Sequence, residues 1–403
     1  VVPAEELDYI IGNPPFVGVR HSKKEHREYL KKIQNVIKKP GALDYVTAWH
    51  ILSAQMIDRN KNLECALVST NSICQGSQVY PLWNYLLNEK KLDIRFAYTT
   101  FKWTNEAKGK AAIHCVIIGL SSVNKYKTKQ LFFADNTINC PNISPYLTPT
   151  DTFFVKSRRT PLSDVPELIK GCYPTDDGNY IFTETQKQEF VLLEPQSEKY
   201  FRRWIGSEDM IKNQKRYILF LKDSPISELR TMKAVQERVK RVQEFRRNST
   251  KIATQKKGDT PLLLDEERIP SSNFLVVPVV SSENREYIPM KYFDPPDICY
   301  ASAFFAENTS PFHFGVLTSS THMAWMKTVA GRLEMRYRYS NTLVYNTFVW
   351  PECSDADKDK ISETAANILK IREKYKDYSL ADLYDAVMMP LDLRRAHQDN
   401  DQA

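Results

Sequence analysis

Pro14 and Pro15 follow directly on the apolar run Leu7-Asp8-Tyr9-Ile10-Ile11-Gly12, and this pair constrains the chain more than any other two residues. Neither has a backbone N–H to give, each fixes its own φ, and each drives the residue before it out of helical space. The run therefore reads as a buried strand that stops at Gly12, with Asn13 and Pro14 held extended beyond it. Two oxygens, the side-chain carbonyl of Asn13 and the backbone carbonyl of Pro14, are left to accept from a single NH₂. The exocyclic N6 of adenine suits that geometry. Its lone pair is delocalised into the ring, and two acceptors for its protons favour a more pyramidal nitrogen that can attack a methyl-sulfonium. Phe16 adds a π-face for a base turned out of its duplex, replacing lost stacking worth about 1–3 kcal/mol. An Asn-Pro-Pro segment is also an ordinary strand-ending turn, and the tetrapeptide alone does not separate the two uses.

A chain of 403 residues has room for two or three domains with large cores. Its formal charge of +7 matters only where basic residues cluster. Seven cysteines without a CxxC pair suggest neither a zinc site nor a disulfide framework, and no metal site is expected. A reducing cytoplasm fits, and no membrane span or secretory leader is read. The 12 glycines include no pair separated by one residue, so no GxG loop wraps a nucleotide-like cofactor. The chain starts with Val in what looks like a central strand, as a fragment of a longer polypeptide would.

Beyond the tetrapeptide, the basic segment Arg20 to Lys39 reads as a helix, and Asp44 is placed as the N-cap of another with Tyr45, Trp49, Leu52 and Met56 on its apolar stripe. Strands are expected at Cys65-Thr70, Leu92-Thr100 and Ile113-Leu120, with a loop from Phe101 to Glu106 between the last two. His50 and His114 lie in apolar stretches and read as core histidines. Asp93 with Glu106 and Lys108 has the residue types of a metal-dependent nuclease, but so short a triplet recurs by chance.

The order of NPPF after a strand, GALDY at a helix start, the ALVSTNS strand and an aromatic loop before IHCVIIGL resembles the second half of an N6-adenine DNA methyltransferase, and most closely the MmeI-like restriction–modification family. Landmarks resembling the same family continue through Ser157-Leu162, Gly171-Gly178, Arg216-Leu221 and Leu393-His397. The resemblance implies that Asn13, Pro14, Pro15 and Phe16 form the catalytic motif, that Trp103 or Phe101 sandwiches the flipped base, and that S-adenosylmethionine donates the methyl group. It implies double-stranded DNA as partner, and an upstream half of the same polypeptide carrying the cofactor loop this chain lacks. Asp44 would be a secondary cofactor contact, although capping alone accounts for it.

A Pro-rich linker, Pro141 to Pro145, marks a boundary near Asp151. The helix expected over 226–248 carries an apolar stripe at Leu229, Met232, Val235, Val239, Val242 and Phe245. Lys233, Arg238, Arg241, Arg246 and Arg247 on its other faces form a candidate phosphate-tracking surface, or else a solvated helix face. Farther on, Arg332, Glu334, Arg336 and Arg338 alternate with Leu333, Met335, Tyr337 and Tyr339, the period of one half-buried strand. Arg donates twice to guanine and Glu accepts from cytosine N4, so Glu334 and Arg336 could read one C·G pair; a salt-bridge ladder is the alternative. The resemblance places a specificity pair with this spacing there.

The expected fold is α/β: a partial Rossmann-like class I methyltransferase sheet over 1–150, a mixed α/β target-recognition domain over 151–352 and a helical tail over 353–403 with Ile361, Ile368, Leu369 and Tyr375 packing. The same tetrapeptide chemistry would also serve an RNA or protein-glutamine methyltransferase, and a non-catalytic DNA specificity module is a third reading.

Overall fold

The computed structural model describes residues 2–18, 22–37, 43–103 and 113–403. They form two compact units that the chain visits in alternation: Val1–Arg159 with Met326–Thr347, and Thr160–Trp325 with Phe348–Ala403. The architecture is mixed α/β with a helical carboxyl-terminal tail. Among the described residues, no helix is long and apolar enough to cross a membrane.

The first unit is built on a six-stranded sheet in the order β1-β2-β4-β3-β5-β6. These strands are β1 (Tyr9–Gly12), β2 (Glu64–Thr70), β3 (Leu92–Trp103), β4 (Ile113–Ser122), β5 (Lys129–Phe132) and β6 (Thr137–Cys140). β1 runs parallel to β2 with Gly12 opposite Leu67, and β4 lies antiparallel between β2 and β3 with Thr70 opposite Cys115 and Trp103 opposite Ile113. The carboxyl ends of β1, β2 and β3 consequently share one edge of the sheet, the edge beyond which open α/β sheets bind ligands.

β1 is not the buried strand its composition suggests. Among the described residues it pairs only with β2, and its alternate side chains Tyr9 and Ile11 are 66% and 82% exposed. The helix α1 (Lys24–Gln34) precedes α2 (Thr47–Arg59), whose buried face is Thr47, His50, Ile51, Ala54 and Ile57. The expected stripe of Tyr45, Trp49, Leu52 and Met56 is only half-buried, and the small residues Ala48, Ser53 and Ala54 are buried instead. The helix α3 (Val79–Trp83) buries Trp83, which donates through Nε1 to the Ile73 carbonyl at 2.7 Å.

His50 is wholly buried, with Nε2 2.7 Å from Ser69 Oγ on β2, and burial lowers its pKa to about 4. The folded value lies below the unfolded one, so the unfolded chain takes up the extra proton between about pH 6.5 and pH 4. Stability from this group is full above that window and falls as pH drops through it, by on the order of 3 kcal/mol. Denaturant titrations at pH 7 and pH 4.5 are expected to give a smaller acid loss for His50→Gln than for the parent; equal losses would show that His50 is not responsible.

The expected linker is packed rather than loose. Ile143, Tyr146 and Leu147 are buried, Tyr146 stacks on Phe153 at 5.0 Å, and the first unit continues to Arg159. Proline content signals irregular backbone here without signalling mobility.

The second unit holds two four-stranded sheets. One runs Ile298–Cys299, Phe201–Ile205, Arg216–Leu219, Ile181–Thr183; the other runs Lys291–Phe293, Phe274–Pro278, Ala303–Glu307, Ile169–Lys170. Phe182, Phe190, Phe201, Trp204, Val235 and Val242 form a core between the first sheet and the helix Lys233–Arg247. The helix expected over 226–248 is interrupted, as Ile226–Leu229 and Lys233–Arg247. Phe245, expected on its packed stripe, is 41% exposed, and Arg246 turns inward instead. In the tail, the helices are Asp355–Lys374, Leu380–Leu383 and Leu391–Gln402. Ile368 is buried and Ile361, Leu369 and Tyr375 half-buried, while Arg372 is buried unexpectedly, donating to the Met290 carbonyl at 2.6 Å and to the Tyr384 hydroxyl.

Candidate functional site

The tetrapeptide leaves β1 at the shared carboxyl edge. Pro14 is buried and anchors it, Asn13 and Pro15 are exposed, and Phe16 is half-buried. Among the described residues, none hydrogen-bonds the Asn13 side chain or the Pro14 carbonyl. Behind Phe16, the Val17 carbonyl accepts from Tyr45 N at 3.1 Å, which ties the tetrapeptide to the segment leading into α2.

Asp44 does not act as the N-cap of α2, which begins at Thr47 with Val46 in the cap position. Its carbonyl accepts from Thr47 N at 3.1 Å and Thr47 Oγ1 at 2.7 Å. Its carboxylate is drawn across to the turn after β2, where Oδ2 accepts from Ser72 Oγ at 2.7 Å and Gln78 Nε2 at 2.8 Å. Gln78 returns a second bond, accepting from Asp44 N at 2.9 Å. Thr70 Oγ1 lies 2.8 Å from Ser72 Oγ and extends the network to the end of β2. Ser72 and Gln78 were not legible as site residues, since short polar residues after a strand look like any turn.

Phe101 and Trp103, expected in a loop, are the last residues of β3, on one face at i, i+2 spacing. Their rings lie 6.2 Å apart at 43°, and Trp103 is 37% exposed. Strand pairing with Cys115 and Ile113 on β4 carries β3 past the predicted end at Thr100. His114, opposite Lys102, is half-buried. Arg20, His21, Gly41, Ala42, Glu106 and Lys108 lie outside the described residues.

The alternating arginine segment is a hairpin, not a single strand. Gly331–Leu333 and Arg336–Arg338 pair antiparallel, and Glu334 stands in the connecting turn with φ +59°. Leu333 faces Arg336 and Gly331 faces Arg338, whereas Arg332 faces Tyr337. Arg336 and Arg338 thus share an exposed face from which Arg332 is removed. Arg332 stacks over the Tyr337 ring at 4.0 Å and donates to the Lys327 carbonyl at 2.7 Å, a positioning use rather than the expected shared face. Of the four residues expected to point inward, Tyr339 is buried but Leu333 is 44% exposed. Glu334 and Arg336 are brought together at 3.1 Å at the exposed tip.

The basic helix divides similarly. Arg246 is fully buried and donates to the carbonyls of Pro174, Thr175, Lys257, Thr260 and Leu263 at 2.8–3.1 Å. It cannot reach a phosphate. Arg238 stacks over Phe182 at 4.2 Å and donates to the Asn179 carbonyl at 2.6 Å. Lys233, Arg241 and Arg247 are exposed, although Arg247 lies 3.2 Å from Asp259 and Arg241 3.9 Å from Glu237.

Three family models match successive parts of the chain: "MmeI, DNA-methyltransferase domain" over residues 2–133, "MmeI, target recognition domain" over 149–352 and "MmeI, C-terminal domain" over 353–403. The chain belongs to the MmeI family. It is 38% identical over 400 residues to DNA methyltransferase A of Bacillus subtilis (strain 168), covering 99% of this chain and 45% of that protein. The solved structure of the Type IIL restriction-modification enzyme MmeI in complex with DNA aligns over 100% of this chain and 54% of its own, with 41% identity and a TM-score of 0.95. The chain spans about half the length of these relatives.

Proposed function

We propose that this chain supplies the amino-group-binding and site-reading parts of a site-specific DNA adenine-N6 methyltransferase. The observation that carries the reading is the pair of acceptors on Asn13 and Pro14, unengaged by any described residue at the carboxyl edge of the sheet. Residues 1–150 act as the catalytic half, 151–352 as the target-recognition domain and 353–403 as a helical support.

In this reading an adenine is extruded from the duplex and its N6 protons are gripped by the Asn13 side-chain oxygen and the Pro14 carbonyl. The grip keeps the lone pair on nitrogen and aims it. Phe16 and the exposed ring of Trp103, with Phe101 beside it, hold the base by stacking. Asn13 is exposed, so the proton lost on methylation has a route to water. S-adenosylmethionine would supply an electrophilic methyl group bonded to a sulfonium. The described residues offer no glycine-rich cradle for it, and Asp44 Oδ2 is already committed to Ser72 and Gln78. Cofactor binding is accordingly assigned to an upstream half of the same polypeptide, in a cytoplasmic enzyme.

Lys233, Arg241 and Arg247 contribute phosphate contacts. Arg336 with Glu334, backed by Arg338, reads a base pair beside the target adenine. Exchanging Glu334 and Arg336 for Lys and Asp is expected to change which base is required there, since one good bidentate contact discriminates by about 1–3 kcal/mol. Methylation of a duplex library by the paired variant checks this, and an unchanged preference with weaker binding would remove the readout role. The function itself is tested by giving the full-length enzyme labelled methyl donor with duplex DNA, RNA or protein. N6-methyladenine in duplex DNA is expected; label only in RNA or on protein glutamine makes the substrate class wrong, and no label anywhere leaves a specificity module.

A further inference from the structure

We infer that Gly76 sets the distance between the reading hairpin and the catalytic tetrapeptide, and so acts as a positioning residue for sequence discrimination; the inference rests on the function proposed above. Gly76 lies in the turn after β2 with φ +64°, and a Cβ there would stand 3.0 Å from Gly331 Cα and 3.3 Å from Gly331 N. Gly331 is the first residue of the hairpin, opposite Arg338. Two main chains therefore touch with no side chain between them, and neither has a flexible end that could yield to an added methyl group.

The far side of the same turn is tied to the tetrapeptide. Ser72 and Gln78, four residues before and two after Gly76, both donate to Asp44 Oδ2. Tyr45, the next residue, donates through its N–H to the carbonyl of Val17, immediately behind Phe16. A continuous path thus runs from Phe16 through Val17, Tyr45, Asp44, Gln78, Ser77 and Gly76 to Gly331, each step a peptide linkage, a hydrogen bond or a main-chain contact. All of it lies within one compact unit. Bidentate base contacts and an in-line attack both tolerate only small misplacement, so a turn that spaces the hairpin from the amino-group grip selects which base can sit beside the reacting adenine.

The test uses the full-length enzyme and measures kcat/KM on the cognate duplex and on duplexes altered at the base the hairpin reads. For Gly76→Ala the cognate-to-altered ratio is expected to fall about tenfold, within the range one bidentate contact supplies. Gly178→Ala is the matched control. It has φ +75° with nothing within 4 Å of an added Cβ, so it bears a similar backbone cost without a contact and should leave the ratio unchanged. General loss of stability lowers both rates together and does not move their ratio. An unchanged ratio in Gly76→Ala overturns the inference. If that variant is not recovered folded, Gln78→Ala, which removes both bonds between Gln78 and Asp44 and leaves only that from Ser72, is read in the same way, and an unchanged ratio is equally fatal. A parent enzyme that labels no duplex adenine would sink the proposed function and this inference with it, whereas site-specific parent activity with an unmoved ratio sinks this inference alone.

Discussion

Replacing Asn13 with Ala in the full-length enzyme is expected to cut kcat for adenine methylation by at least about a hundredfold while leaving duplex affinity within about twofold. The expectation follows from what the side chain has to do. No described residue uses its carbonyl, it stands exposed at the carboxyl edge of the sheet, and Pro14 behind it is buried and cannot swing. An acceptor that meets charge developing on nitrogen acts chiefly in the transition state, so under the proposed function its loss falls on kcat rather than on binding. Single-turnover rates with saturating duplex, beside equilibrium binding, separate these quantities. Retention of parent-like rates would remove Asn13 from the chemistry. An equal loss of affinity would make it a base-binding residue instead.

Arg246→Ala is expected to destabilise the protein by about 3–5 kcal/mol, measured by urea denaturation, without reducing the salt dependence of DNA binding. The guanidinium has no exposed surface and donates to five main-chain carbonyls from Pro174 to Leu263. Removing it leaves those oxygens buried without a donor, which costs more than any one of the bonds contributes. A phosphate-contacting arginine behaves the opposite way. Its loss would flatten the dependence of affinity on salt by about one counterion and leave the denaturation midpoint in place. Exposed Lys233 and Arg241 are the positions where that second pattern is expected.

The contrast between Arg246 and Lys233 shows where sequence reasoning stops. Helical periodicity located the packed face well enough that Met232, Val235 and Val242 are all fully buried. It ranks Phe above Arg for an interior position, yet Phe245 is exposed and Arg246 buried, because the loops from Pro174 and Lys257 bring carbonyls that only a guanidinium can satisfy together. That demand comes from residues more than seventy positions away in one case and is invisible locally. The end of β1 at Gly12 was legible because the two prolines that follow Asn13 fix backbone shape without outside help. The arginine segment was misread as one strand since period-2 alternation survives through a tight hairpin, and nothing in Glu334-Met335 announces a left-handed residue. Asp44 was read as a cap from its place before a helix, whereas Ser72 and Gln78 compete for its carboxylate from another part of the fold.

The excursion of residues 326–347 back to the first unit bears on how such proteins could be recombined. A graft that exchanges 149–352 between relatives would carry the hairpin away from the glycine it rests on, so half of a backbone contact would come from each parent. Crossovers at 160 and 325 would let the recipient keep its own tip and its own seat, so under the proposed reading the letter beside the target adenine would stay with the recipient while the grafted segment varied.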